Sequence, residues 1–338
     1  MDEIDSIAKE RGSGTTNYAD SILTAFLTEM DGFKNDPSKP VFVMAATNYD
    51  VEPGSSRSLD GALMRRFDRR IYIDLPDKKA RIRFMKNKCA DTKHYQISES
   101  LIDNLAIRSV GMSLAALTSM FELALRTAVR QNCLPVSDSV LEEAFETFRS
   151  GEKKQWDAEQ LERVARHEAG HAFLYWQAGQ TPSYVTIVAR GNHGGYMQHD
   201  DNEGKGIYTR NEMLSRIRTS LGGRAAELVY YGPEDGISTG ASGDLANATR
   251  VAKNMICAYG MDDELGLAVV DQYASSGMLA EPVRNAVNRI LQQQMEQAVT
   301  LIRENQTAVN ALVAALLEKN QLTGDEICVI FETAMKKQ

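Results

Sequence analysis

The run "LERVARHEAGHAFLYW" at residues 161–176 places two histidines, His167 and His171, four positions apart, with Glu168 directly after the first. On a helix, residues four apart stand about one turn above each other on the same face. The two imidazoles can therefore share one ion, and Glu168 can reach a water at the ion's open position. This is the chemistry of an HExxH metallopeptidase: two nitrogen ligands, a carboxylate base, and a water made acidic by zinc. Ala169 and Gly170 are too small to crowd an ion, and residues 172–176 are apolar, as a buried catalytic helix requires. The competing reading is an amphipathic helix with two ordinary histidines. The chain holds only five histidines, and two of them in this register favour the metal.

A catalytic zinc needs a third protein ligand. Residue 177 is Gln, so the longer HExxHxxGxxH pattern fails and the third ligand must be distant in sequence. His193 and His199 are candidates, but they lie in a Gly- and Asp-rich hairpin expected at the surface. Two acids stand out: Glu227 in "GGRAAELVYYG", on a helix, and Asp244 in "STGASGDLANATRVAKN", at the start of another. Each has a plainer explanation. An acid at a helix N-terminus is favoured by the dipole, which would account for Asp244. An ion pair with Arg224 would account for Glu227. The residues alone leave the choice open.

The totals fit such an enzyme. The chain has 338 residues, 43% hydrophobic and 25% charged, enough for two or three domains with real cores. Its net charge of -8 argues against nucleic acid as a partner, because phosphate binding wants a basic surface. A local basic run at 65–93 carries eleven Lys and Arg against four acids, and reads first as a solvated helix face. The four cysteines, Cys89, Cys133, Cys257 and Cys328, form no CxxC pair, so neither a disulfide framework nor a thiolate zinc site is indicated. No stretch approaches 18 consecutive apolar residues, so no transmembrane helix is expected. The acidic start "MDEIDSIAKERG" is not a signal peptide.

Residues 1–75 read as α/β. "ADSILTAFLTEMDGF" places Ile22, Leu23, Phe26, Leu27 and Met30 on one helical face, with Gly32 at its stop. "KPVFVMAATN" (39–48) and "RRIYIDLPD" (69–77) read as short strands, the first a buried parallel one. Residues 78–148 are helical in pattern, and the polar loop "SGEKKQWD" (150–157) marks a domain boundary. Beyond it, one helix covers 157–177, and "SYVTIVAR" and "GGYMQH" form two strands joined through "GNH". Helices follow at about 209–231, 244–259, 281–304 and 306–319. A last one begins at Thr323, where Thr323 and Glu326 form a capping box.

Taken in order and spacing, "HEAGHA", "GGRAAE", "STGASGDLANAT" and "MICAYGMDDELG" resemble the peptidase domain of the FtsH family of membrane-anchored AAA+ zinc proteases, from about 155 to 338. "DEIDSIAKERG" resembles that family's Walker B segment, "VFVMAATN" its sensor-1 strand, and "LDGALMRRFDRRIYIDLPD" its second region of homology. "GMSLAALTSMFELALRTAVRQN" is similar to its helical lid. The resemblance implies a layout of three parts: the C-terminal part of an AAA+ α/β domain (1–75), a helical lid (76–149) and a mostly helical zinc peptidase domain (150–338). It implies His167, His171 and Asp244 as zinc ligands, Glu168 as general base, and Glu227 as an acid supporting the ligands from behind. It implies Asp2 and Glu3 as a Walker B pair for Mg²⁺ and water, Asn48 as sensor 1, and Arg66 and Arg69 as arginine fingers for ATP on a neighbouring subunit of a hexameric ring. The other basic residues of 78–93 remain lid surface. "GGYMQ", with Gly194, Gly195, Tyr196 and Met197, resembles the edge strand along which an extended substrate is laid. Polypeptides as substrates and the cytoplasmic face of a membrane follow from the same resemblance.

Departures are also legible. There is no GxxxxGK[ST], so no phosphate cradle, and the usual pore loop and membrane anchor have no counterpart in these residues. "RRFDRR" lacks the usual proline and glycine, "SLAAL" replaces the common start of the lid helix, and "GLAVVD" lacks a proline. The expectation is therefore an N-terminally truncated member whose ATPase half does not bind ATP by itself and is poorly stable, because half a parallel sheet leaves an unpaired edge. A catalytically uncoupled fragment or non-enzymatic assembly subunit is the alternative.

Overall fold

A helix satisfies its own backbone and needs only one face covered, whereas a strand must find a neighbour. That difference separates the two halves of this chain. The computed structural model describes residues 1–8, 17–32, 41–49, 59–90, 93–191, 194–199, 206–267, 269 and 280–336. It divides into two compact units, Met1–Asp74 and Leu75–Gln338.

In the first unit, helix α1 (Asn17–Gly32) buries Leu23, Leu27 and Met30 against Ile4, Leu59 and Leu63. Ile22, expected on that face, is exposed instead. A short helix α2 (Gly61–Met64) starts at Asp60, whose carboxylate accepts from the amides of Ala62 and Leu63 at 2.8 and 3.2 Å. The two expected strands are absent from the described residues: neither 41–47 nor 71–75 is a strand. Most of their apolar side chains face outward, with Phe42 92% and Ile73 92% exposed, while Val43 and Ala45 pack against the core of this unit. Among the described residues, the backbone of 41–47 is met only at Met44 and Ala46, which bond to Met1 and Ile4. Three hydrogen bonds do not make a sheet, and β-propensity without a paired neighbour yields no strand.

In the second unit, four helices come first: α3 (Lys78–Ala90), α4 (Glu99–Arg108), α5 (Leu114–Arg130) and α6 (Asp138–Ser150). Ser98 and Ser113 cap α4 and α5 by accepting from the amides of Leu101 and Ala116. Met85, Leu105, Leu117, Phe121, Leu141 and Phe145 form the shared core. The basic residues of α3 are not all surface, as the sequence had suggested. Arg81 is 1% exposed and donates to the carbonyls of Ala106 and Pro76 at 2.7–3.0 Å, tying α3 to α4.

Helix α7 (Ala158–Gln177) follows, capped by Asp157. Strands β1 (Pro182–Thr186) and β2 (Tyr196–His199) pair antiparallel. Helices α8 (Arg210–Ser220), α9 (Gly222–Asp235), α10 (Ser242–Cys257), α11 (Ala280–Glu304) and α12 (Gln306–Lys319) come next. A short strand β3 (Gln321–Thr323), which the sequence did not suggest, pairs with the other side of β1, giving the order β2-β1-β3. Helix α13 (Gly324–Met335) begins at the expected Thr323–Glu326 capping box. The helix expected over 209–231 is two helices meeting at Leu221. Its break coincides with Gly222 and Gly223, where α9 crosses α7 closely. A Cβ on Gly170 would lie 2.4 Å from the Gly222 carbonyl oxygen, so only glycines allow the crossing. Phe173, Val185, Leu312, Leu316 and Phe331 fill the core beneath α7.

Candidate metal centre

The apolar face of α7 is pressed into that core, and the same helical period turns His167, Glu168 and His171 toward a cleft of about 890 Å³. All three are buried, at 7–8% exposure. The other ring nitrogen of each histidine is held from behind. His171 Nδ1 lies 2.7 Å from the Thr219 carbonyl oxygen, which can only accept, so Nδ1 carries the hydrogen and Nε2 is left with a lone pair. His167 Nδ1 lies 2.7 Å from Glu227 Oε1, which fixes the same tautomer. Glu227 is 1% exposed and takes Arg163 on its other oxygen at 3.2 Å. The simple pairing of Glu227 with Arg224 fails, because the Arg224 guanidinium donates to the Ser238 carbonyl at 2.6 Å.

The two Nε2 atoms stand 3.2 Å apart. Asp244, in the first turn of α10, brings Oδ2 to 3.1 Å from one and 3.4 Å from the other. A tetrahedral zinc with bonds of about 2.0–2.1 Å spaces its ligand atoms about 3.3 Å apart. The donor set and the triangle it forms therefore fit that ion. Among the described residues this is the one group of three or more histidine, cysteine or acidic side chains gathered closely enough to hold a metal.

Proton affinities follow the same geometry. Burial disfavours a charged His167, yet hydrogen bonds to Asp244 and Glu227 outweigh it and push the imidazole up to about 10. Burial opposes the ionised forms of Asp244 and Glu227 too, and their bonds to the histidines still hold both carboxyls below the usual range. Glu168 is the exception: burial pushes its carboxyl up, against the nearby histidines and a Met197 backbone amide. A carboxylate with raised proton affinity beside the ligands is suited to act as a general base.

Strand β2 borders the cleft. It lies at the edge of the sheet, and Gly194, Gly195, Tyr196 and Met197 line the cleft with the two histidines. A Cβ on Gly195 would stand 2.6 Å from the Thr186 carbonyl oxygen, which excludes a side chain there, and 3.2 Å from Glu168 Cγ, so the backbone at Gly195 passes close beside Glu168.

Several supporting residues were not read from the sequence. Gly223 leaves the His167 ring its space, since a Cβ there would fall 2.2 Å from Nε2. The adjacent glycines opening a helix were the signal. Arg163, one turn before His167, and the Thr219 carbonyl were likewise missed. His193 lies outside the described residues, as does the side chain of His199. The other candidates, Asp2, Glu3, Asn48, Arg66 and Arg69, belong to the first compact unit. There Asp2, Glu3, Asn48 and Arg69 are exposed, and Glu3 has left-handed backbone, with φ 50°. Arg66 makes a two-pronged pair with Asp31 at 2.6 and 2.9 Å.

Comparison with known proteins agrees with both halves. The model of peptidase family M41 matches residues 154–330, and that of the ATPase family associated with various cellular activities (AAA) matches residues 1–75. The ATP-dependent zinc metalloprotease FtsH of Ureaplasma parvum serovar 3 is 32% identical over 98% of this chain and 47% of its own length. That of a Synechococcus species is 32% identical over 99% of this chain and 54% of its own length. The chloroplastic FTSH 2 of Oryza sativa subsp. japonica is 32% identical over 98% of this chain and 51% of its own length. The chain thus spans about half the length of these relatives. With a family model over its second half and relatives along nearly all of it, the chain belongs to peptidase family M41, the FtsH family of zinc metalloproteases.

Proposed function

We propose that this chain carries a zinc-dependent endopeptidase site acting on extended polypeptides. His167, His171 and Asp244 would hold Zn²⁺, with Glu227 and the Thr219 carbonyl orienting the two rings. Zinc there would supply Lewis acidity and make water a nucleophile near neutral pH. Glu168 takes the water's proton and later returns it to the leaving amine. The free edge of β2 offers backbone groups to a substrate strand, aligning its carbonyl with Glu168. The observation carrying this reading is the meeting of two histidine Nε2 atoms and one carboxylate oxygen within 3.4 Å, beside a buried Glu168.

By kinship with the family, residues 1–75, 76–149 and 150–338 would act as ATPase part, lid and peptidase domain of a hexameric ring at the cytoplasmic face of a membrane. Asp2, Glu3 and Asn48 would then serve ATP and Mg²⁺ there, and Arg66 and Arg69 would reach a neighbour's nucleotide, with Arg66 exchanging Asp31 for it. No helix among the described residues is long and apolar enough to cross a membrane. The test is metal content plus digestion of an unfolded protein, with and without chelator. One zinc per chain and chelator-sensitive cleavage are expected. Zinc-loaded protein that cleaves nothing, alone or assembled, would end the proposal.

A further inference from the structure

A four-residue edge strand beside a cleft has little to hold it. In β2 the side chains alternate: Met197 packs toward the α7 core, while Tyr196 and Gln198 face the opposite way, toward α4 and α6. Both outward side chains are gripped. The Tyr196 hydroxyl donates to Glu146 Oε1 at 2.8 Å, and its ring lies 4.7 Å from the Arg149 guanidinium carbon. Gln198 accepts from Arg149 at 2.5 Å and donates to the Arg108 carbonyl at 3.0 Å. Behind them, Arg108 is 2% exposed. It donates to Glu146, to Glu142 at 3.0 Å and to Asn104 at 2.9 Å, with its guanidinium carbon 3.8 Å from the centre of the Tyr184 ring on β1.

Apolar side chains would join these layers at lower desolvation cost, since a buried ion pair often contributes no net stability over a packed apolar replacement. What a charged, directional cluster does contribute is a single position. Here that position belongs to the strand whose Met197 amide meets Glu168 and whose Gly195 backbone passes over it. An ångström of strand movement would misplace the carbonyl to be attacked.

We propose that Glu146, Arg149 and Arg108 are positioning residues for the cleft: from the α4–α6 layer they fix the register of β2 and so the seating of an extended peptide. This rests on the proposed peptidase function, but part of its test does not. In the zinc-loaded protein, Glu146→Gln and Arg149→Met are compared with wild type on two peptides. One is long enough to pair along β2, and the other is too short to reach it. KM for the long peptide should rise about tenfold, the size of losing one hydrogen bond to a charged group, with little change in kcat. The loss for the short peptide should be at least about fivefold smaller. Backbone hydrogen exchange at 196–198, read in the inactive Glu168→Gln background, should quicken at least about fivefold while α7 is unchanged.

Unchanged exchange at β2 and unchanged KM in both variants would overturn the proposal. So would a parallel fall in zinc content, melting temperature and activity on both peptides, the signature of a purely structural cluster. If Glu146→Gln fails to fold, Tyr196→Phe removes the same hydrogen bond with less disturbance and is read in the same way. If the zinc-loaded wild type cleaves neither peptide, the peptidase reading fails instead, and the exchange measurement still decides the positioning role.

Discussion

Helix α7 and the segment 41–47 each contain an apolar run, both lie in stretches matched to motifs, and they end in opposite states. Phe173 on α7 is 0% exposed, whereas Phe42 is 92% exposed. The helix closes its hydrogen bonds locally and needs only β1, α9 and α12 to cover one face. The segment needs strands on either side, and among the described residues its backbone bonds only to Met1 and Ile4. Motif content therefore does not measure how far a region has folded; backbone satisfaction does.

The sharpest test of this contrast is chemical. Glu168→Gln should keep zinc, by metal analysis, while kcat falls about a hundredfold to ten-thousandfold, the usual worth of a general base. Loss of the metal as well would mean that Glu168 holds the site together rather than working in it. Next comes packing. Phe173→Ala should cost about 3–5 kcal/mol in denaturant unfolding, because it opens a cavity in a core shared by four elements. Gly223→Ala should cost about 1–3 kcal/mol from overpacking, and should weaken zinc binding because the added carbon displaces the His167 ring. Wild-type zinc affinity in that variant would show that the ring tolerates a shift the geometry forbids.

A milder effect concerns pH. His167 is raised from 6.5 to about 10 by its two carboxylates. A raised folded pKa stabilises the fold fully below 6.5, and that contribution is lost as pH climbs through about 10. With chelator present, the melting temperature should decline between pH 7 and 10, and His167→Gln should remove most of that slope. Zinc affinity should move the opposite way and strengthen over the same window, since binding expels the proton. The smallest effect belongs to the first unit. Phe42→Ser should change stability by less than about 0.5 kcal/mol, as for other exposed positions. A larger loss would place Phe42 against a surface that covers it.

How legible the site was depended on distance along the chain. His167, Glu168 and His171 were readable because their relation is one helical turn, and the Thr323–Glu326 capping box for the same reason. Where the period was right but a partner mattered, the reading slipped. The helix over 209–231 is broken at Leu221, since nothing local announces that Gly222 will meet Gly170. Arg81 read as lid surface until α4 offered it a carbonyl. The two strands in 1–75 failed because β-propensity has no force without a partner strand.

By itself, then, the sequence determined the metal-binding helix, its base and its caps, all of which arise from contacts within about four residues. From sequence alone, Glu227 and Asp244 were equivalent candidates, and only the family resemblance ranked them. Tertiary structure separated them: one sits behind His167 Nδ1, the other in front of both Nε2 atoms. It also turned the edge of β2 toward Glu168 and set Glu146 behind that strand. Such relations depend on where separate helices and strands come to rest against one another, and packing across the core, not local periodicity, sets that.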